Sequence, residues 1–181
     1  MEFASADLSD ITSEVVEKYS RLASANALHV TVKKSPHALV WGNATALQQI
    51  VGNLLKNAIA YTPRLGSIAI TVSQSPYDEV ELIIQDSGVG ISRKDLFRIF
   101  EPFYRSDQSR TRSKGSSGLG LAIVSELVKL HGGKITIRSA VGRGTTVAVR
   151  FPGAAIHAKV GTSERKEGLS EIAVDFSRKQ S

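Results

Sequence analysis

A two-layer α/β sandwich, a mixed sheet covered on one face by about three helices, is the fold class that the 181-residue sequence predicts. Two patterns predict it. Apolar residues recur every three to four positions in three segments of helical length, and about six short segments carry the residue types and the alternation of strands. The strands are grouped rather than strictly interleaved with helices, and 41% hydrophobic with 22% charged residues suffices for a buried core. Global disorder is excluded.

Leu8, Ile11, Val15, Tyr19 and Leu22 share one helical face, so Asp7 to about Ala27 is expected as the first helix. Leu28 to Lys33 alternates as a strand, Ser35-Pro36 turns, and a second short strand runs through Val40-Trp41. Asn43 is the expected N-cap of a second helix whose apolar arc, Leu47 to Ala58, reaches Tyr61 before Thr62-Pro63 stops it. Strands Ser67 to Ser73 and Glu79 to Gln85 are joined by Ser75-Pro76-Tyr77-Asp78, a hairpin-like spacer that implies antiparallel pairing. Ser92-Arg93-Lys94-Asp95 has the form of a capping box opening a short helical piece toward Phe100. Pro102 to Ser117 shows no periodicity and reads as a loop or lid. A third helix, Leu119 to Leu130, ends at Gly132-Gly133, and strands Lys134 to Ser139 and Thr145 to Phe151 follow. The domain is expected to span 7–152, and 153–181 reads as a flexible tail.

Composition removes several kinds of chemistry. The absence of cysteine excludes disulfides, thiolate metal sites and a cysteine nucleophile, and leaves any zinc site to four scattered histidines. The apolar runs fall far short of the ~18 residues of a membrane span, and the first residues lack the character of a secretory leader, so a cytoplasmic location is expected. The net charge is +6, and much of the surplus lies between Arg93 and Lys114, where seven basic residues face three acidic ones. Nucleic acid, an anionic membrane or a polyphosphate could meet such a segment.

Asn53 and Asn57 lie one helical turn apart at the edge of the second helix's apolar arc, with Tyr61 continuing the line. Amide oxygens suit Mg²⁺ whose charge is balanced by phosphates, although such a pair is also compatible with two solvated side chains. Asp86-Ser87-Gly88-Val89-Gly90 puts a carboxylate at a strand end, where it could accept from an exocyclic amine such as that of adenine; a plain tight turn has the same form. Gly115-Ser116-Ser117-Gly118-Leu119-Gly120 precedes the third helix and could cradle a triphosphate, with Arg112 and Lys114 adding charge, or could be a linker. Phe100-Glu101-Pro102-Phe103-Tyr104 suits a lid anchor.

In order and spacing, Asn53 to Ala58, Asp86 to Gly90, Phe100 to Tyr104, Gly118-Leu119-Gly120-Leu121 and Gly142-Arg143-Gly144-Thr145 resemble the N, G1, F, G2 and G3 boxes of the sensor histidine kinase catalytic domain, over roughly Leu8 to Pro152. The resemblance implies a Bergerat-type sandwich, related to gyrase, Hsp90 and MutL ATPases, that holds ATP between helices and a mobile lid. It implies Asn57 as the Mg²⁺ ligand with Asn53 nearby, Asp86 as the adenine reader, Gly88 and Gly90 shaping that pocket and Tyr61 flanking the base. Gly118, Leu119 and Gly120 would lie at the phosphates, with Arg105 and Lys114 as lid contacts. Ala60, Ser116 and Asn43 depart from residues common in the family. Asn53 stands where the hydrolytic relatives carry glutamate, which disfavours hydrolysis and favours phosphoryl transfer.

The implied acceptor is a histidine on a dimerising hairpin, and none of His29, His37, His131 or His157 has that context. The expected partners are therefore a phosphoacceptor and dimerisation domain and, through it, a response regulator, with a membrane reached only through other segments of a parent kinase. No nucleic acid is expected. An ATP-responsive binding module that transfers nothing is the alternative.

Overall fold

A computed structural model describes residues 2–105 and 117–155, and the backbone of 172–174. Strand β1 (Ala4–Asp7) leads into α1 (Leu8–Ala25), followed by β2 (His29–Lys34), β3 (Leu39–Gly42) and α2 (Ala44–Tyr61). After these come β4 (Ser67–Gln74), β5 (Glu79–Asp86), α3 (Arg93–Leu96), α4 (Gly120–Leu130), β6 (Lys134–Ser139), β7 (Thr145–Pro152) and β8 (Ile172–Val174).

The main sheet has the order β2-β4-β5-β7-β6-β8. Its β2/β4 and β6/β8 pairs are parallel and the pairs between them antiparallel, so the sheet is mixed, as expected. Alternation sends Ile68, Ile70 and Val72 of β4, Val80, Leu82 and Ile84 of β5, Ile135 and Ile137 of β6, and Val149 and Phe151 of β7 to one buried face. Each such side chain stabilises the fold by about 1.5–3 kcal/mol through burial. The opposite face carries polar pairs such as Arg150 Nε to Glu81 Oε1 at 2.7 Å.

Helix α2 lies at the centre of the covering layer, with α1 on one flank and α4 on the other. Its apolar arc of Leu47, Ile50, Val51, Leu54, Leu55 and Ala58 is buried, which leaves Asn53 and Asn57 at the rim. Asn43 Oδ1 accepts from the Ala46 N–H at 2.9 Å, and at the other end Thr62 Oγ1 donates to the Ala58 carbonyl at 2.6 Å. These caps satisfy orphan groups at both ends, and Pro63 prevents continuation.

Eight strands occur among the described residues, more than the six or so expected, and beside the three expected helices α3 is the short helical piece expected after Ser92. The strand after Ser35-Pro36 does not pair with β2. It pairs antiparallel with β1, from Ala4 opposite Gly42 to Asp7 opposite Leu39, and a bridge from Val40 to Gly153 ties it to the main sheet. Ala-Ser-Ala-Asp has no intrinsic strand signal and is extended because β3 supplies its partners. The tail expected to be flexible contributes β8, with Ile135 opposite Ile172 and Ile137 opposite Val174. Three residues are too few for a readable periodicity, yet they occupy the otherwise open edge of β6. The middle of the expected lid, 106–116, lies outside the described residues, as do 156–171 and 175–181. Among the described residues, no helix is long and apolar enough to cross a membrane.

Candidate functional site

Three strand ends and two helices enclose one cleft of about 1030 Å³, its open mouth included. Leu54, Asn57, Ala58 and Tyr61 of α2 form one wall, and Gly118, Gly120 and Leu121 at the start of α4 another. Ile84, Ile137 and Val147 form an apolar floor, and Asp86 and Thr145 supply its polar end.

Asp86 ends β5, where the inner-face alternation that placed Ile84 in the core brings a carboxylate to the cleft. Its Oδ1 accepts from the Gly88 N–H at 2.7 Å and the Thr145 N–H at 3.1 Å. No described residue donates to Oδ2. Burial raises the carboxyl above its ordinary value, and the two backbone donors partly offset that.

The loop after Asp86 is pinned on both sides. Val89 N–H donates to the Tyr61 carbonyl at 3.1 Å, and Gly142 N–H donates to the Val89 carbonyl at 2.8 Å. Gly90 is left-handed at φ +71°, and a Cβ there would come within 1.9 Å of the Ala140 carbonyl oxygen. Gly144, at φ +76°, leaves the same 1.9 Å to the Asp86 carbonyl oxygen, so only glycine lets β7 start against the end of β5.

On the opposite rim, Tyr104 lines the cleft and its hydroxyl donates to Asp95 Oδ1 at 2.6 Å, while the Arg98 guanidinium lies 4.3 Å from the centre of its ring. Burial works against the Asp95 carboxylate, but hydrogen bonds from Ser92 and Tyr104 and the charges of Lys94 and Arg98 outweigh it and lower its pKa. Phe103 N–H donates to the Gly118 carbonyl at 3.1 Å, which joins the two ends of the segment expected to form the lid.

Seven of the eleven residues expected at the site, Asn57, Tyr61, Asp86, Gly90, Arg105, Gly118 and Gly120, line this one cleft. Asn53 lies beside Gly120, 3.8 Å from the place of a Cβ there, and its buried Nδ2 has no hydrogen-bond partner among the described residues. Gly88 is behind Asp86 rather than in the wall, because its N–H is turned to the carboxylate. Leu119 is the N-cap of α4 and does not line the cleft, and Lys114 lies outside the described residues.

Sequence reasoning gave no site role to Thr145, Tyr104 or Ser139. The first two stood inside motifs already singled out, whereas Ser139 had no signal until strand register set it opposite Thr145.

The donor set also bears on a metal. Among the described residues no cluster of three or more His, Cys, Asp or Glu exists, so a cation at this cleft would meet amide oxygens and the oxygens of its own ligand. The Asn57 amide oxygen on the cleft wall fits Mg²⁺ accompanied by phosphates, and the Asn53 Nδ2, without a partner among the described residues, fits a phosphate oxygen; neither fits a metal needing several protein carboxylates.

Residues 42–155 match the family described as histidine kinase-, DNA gyrase B- and HSP90-like ATPase. The chain belongs to that family. Among sensor kinases, this ATPase domain is 35% identical to the sensor histidine kinase RppB of Synechocystis over 80% of the chain and 32% of RppB. It is 34% identical to the sensor-like histidine kinase SenX3 of Mycobacterium tuberculosis over 96% of the chain and 42% of SenX3. The ATPase domain thus spans about a third to two fifths of these relatives' length. In structure it is similar to the mycobacterial sensor histidine kinase MprB, with a TM-score of 0.73 at 29% identity, covering 84% of this chain and 98% of that one. The fold is that of histidine kinase catalytic domains.

Proposed function

We propose that this histidine kinase ATPase domain binds Mg·ATP in the cleft and directs its γ-phosphoryl group to a histidine on a separate phosphoacceptor and dimerisation domain, from which a response regulator takes it. The observation that carries this reading is Asp86: a carboxylate with one oxygen held by two backbone donors and the other left to accept at the polar end of an apolar slot. An adenine amine supplies that donor and a guanine carbonyl does not.

Tyr61 and the floor of Ile84, Ile137 and Val147 take the faces of the base. Gly118, Leu119 and Gly120 bring backbone N–H groups and the N-terminus of α4 toward the phosphates, with Arg105 and Lys114 adding positive charge. Asn57 holds Mg²⁺ through its amide oxygen, and Asn53 donates its buried Nδ2 to a phosphate oxygen. When bound, Mg²⁺ neutralises charge developing between the β- and γ-phosphates. Asn53 is amide rather than carboxylate and cannot serve as a base for water, which favours transfer over hydrolysis.

The histidines among the described residues are poor acceptors. His131 is 3% exposed, with Nδ1 at 2.7 Å from the Leu127 carbonyl and Nε2 accepting from the Asn43 N–H at 3.1 Å. Neither His29 nor His37 lines the cleft, and His157 lies outside the described residues. We take 7–152 as the catalytic unit and 153–181 as an appended tail, acting in the cytoplasm with any membrane contact made by other parts of a parent kinase. Incubation with γ-labelled ATP, alone and with acceptor hairpins from RppB or SenX3, tests transfer. Acid-labile label on the hairpin histidine and none on this chain is expected. Label on His29, His37, His131 or His157, or ATP binding without transfer to any cognate hairpin, would overturn it.

A further inference from the structure

Beyond Asp86, the polar end of the cleft depends on a row of three side chains. Asp86, Thr145 and Ser139 are directly opposite one another across β5, β7 and β6, continuing the inner-face row of Ile84, Val147 and Ile137. Ser139 Oγ has three neighbours at 2.8 Å: the Ile91 N–H, the Gly144 carbonyl and Thr145 Oγ1. A serine hydroxyl has one proton and two lone pairs. The Ile91 N–H can only donate and the Gly144 carbonyl can only accept, so Ser139 accepts from the first and gives its proton to the second. The third contact then forms only if Thr145 donates to Ser139. This commits the Thr145 proton away from the cleft and leaves that hydroxyl's lone pairs to serve it.

We propose that Ser139 is a specificity-determining positioning residue, which fixes the Thr145 hydroxyl as an acceptor so that the cleft's polar wall favours a base bearing an exocyclic amine over one bearing a carbonyl at the same place. This rests on the adenine reading of the cleft. Asp86 and Thr145 then act together, since each offers the ligand oxygen lone pairs and no proton. Without the Ser139 hydroxyl, the Thr145 hydroxyl rotates and can donate, and a carbonyl-bearing base meets a partner instead of a second repelling oxygen.

ATP and ITP test this, because their bases differ in amine against carbonyl at that position. The parent is expected to prefer ATP. In Ser139→Ala the ratio of ATP to ITP affinity should fall by roughly 3- to 10-fold, the worth of one neutral hydrogen bond. Ser139→Thr, which keeps the hydroxyl, should restore the parent ratio, and Ser139→Ala in a Thr145→Val background should leave the ratio of that background unchanged. Should the alanine variant fail to fold, Ser139→Cys serves, because a thiol is a weak donor and acceptor. A merely structural role would weaken both nucleotides equally, and an unchanged ratio in folded Ser139→Ala or Ser139→Cys overturns the proposal. A parent that binds ATP and ITP alike overturns the adenine reading itself, and this inference with it.

Discussion

A half-buried carboxylate held by only two backbone donors is costly to ionise, and Asp86 shows what that implies for the ligand-free domain. Its pKa is raised by burial, so the folded protein holds this proton more tightly than the unfolded chain. That contribution to stability is present below the ordinary carboxylate value and is lost as pH rises through the raised one. Once ionised, the side chain therefore weakens the fold. Asp86→Asn keeps an oxygen for the Gly88 and Thr145 N–H groups and removes the charge, so calorimetry should find the melting temperature of the ligand-free domain unchanged or higher. A clear fall would mean that the carboxylate serves the fold rather than a ligand. The glycines of the β6–β7 turn give a second contrast. Gly142 and Gly144 are both at φ +76°, but a Cβ at Gly142 meets nothing within 4 Å, whereas one at Gly144 comes within 1.9 Å of the Asp86 carbonyl oxygen. Gly142→Ala should cost only the left-handed strain, about 1–2 kcal/mol. Gly144→Ala should cost a further ~1–3 kcal/mol from the clash and should also weaken ATP binding by displacing Asp86. Denaturant titration and nucleotide binding on the two variants check this, and equal behaviour would refute it.

Among the elements, the end of α4 is joined to the start of α2 by one imidazole. His131 stacks on Phe3 at 4.9 Å, meets the edge of Phe151 at 6.1 Å, and accepts from the Asn43 N–H; a Cβ on Gly42 would come within 2.5 Å of its ring. Burial lowers its pKa, against the opposing effect of its bond to the Leu127 carbonyl. With the folded value depressed, its contribution to stability is present above the ordinary value of about 6.5 and is lost as pH falls below it. The melting temperature should therefore drop between pH 7 and pH 5, and the dependence should flatten in His131→Gln; identical slopes would contradict this role. The same region marks how far the sequence could be read. Helix α2 was legible from end to end because Asn43, the apolar arc and Thr62-Pro63 are all local signals, and the β4–β5 hairpin was legible from Ser75-Pro76-Tyr77-Asp78. The pairing of β1 with β3 was not, since Ala-Ser-Ala-Asp acquires strand geometry only from a partner distant in sequence. Likewise, Ser139 was readable as the last residue of a strand, while its contact with Thr145 depends on register, which no local signal sets.

For the whole molecule, the sandwich brings residues spread from Asn57 in α2 to Thr145 in β7 to one cleft, with an apolar slot and with neutral amides beside the start of α4. The motifs read along the chain meet at that cleft: Asn57 from within α2, Asp86 from the end of β5, Tyr104 from the opposite rim, and Gly118, Gly120 and Thr145 from the starts of α4 and β7. Discrimination then falls to Asp86, since the slot itself would accept any flat apolar group. Calorimetric titration of Mg·ATP into the parent and Asp86→Asn tests this directly. Saturable one-to-one binding is expected for the parent, with affinity weakened about tenfold or more in the variant, the loss of one charge-assisted hydrogen bond. Equal affinity in a folded Asp86→Asn protein would contradict it.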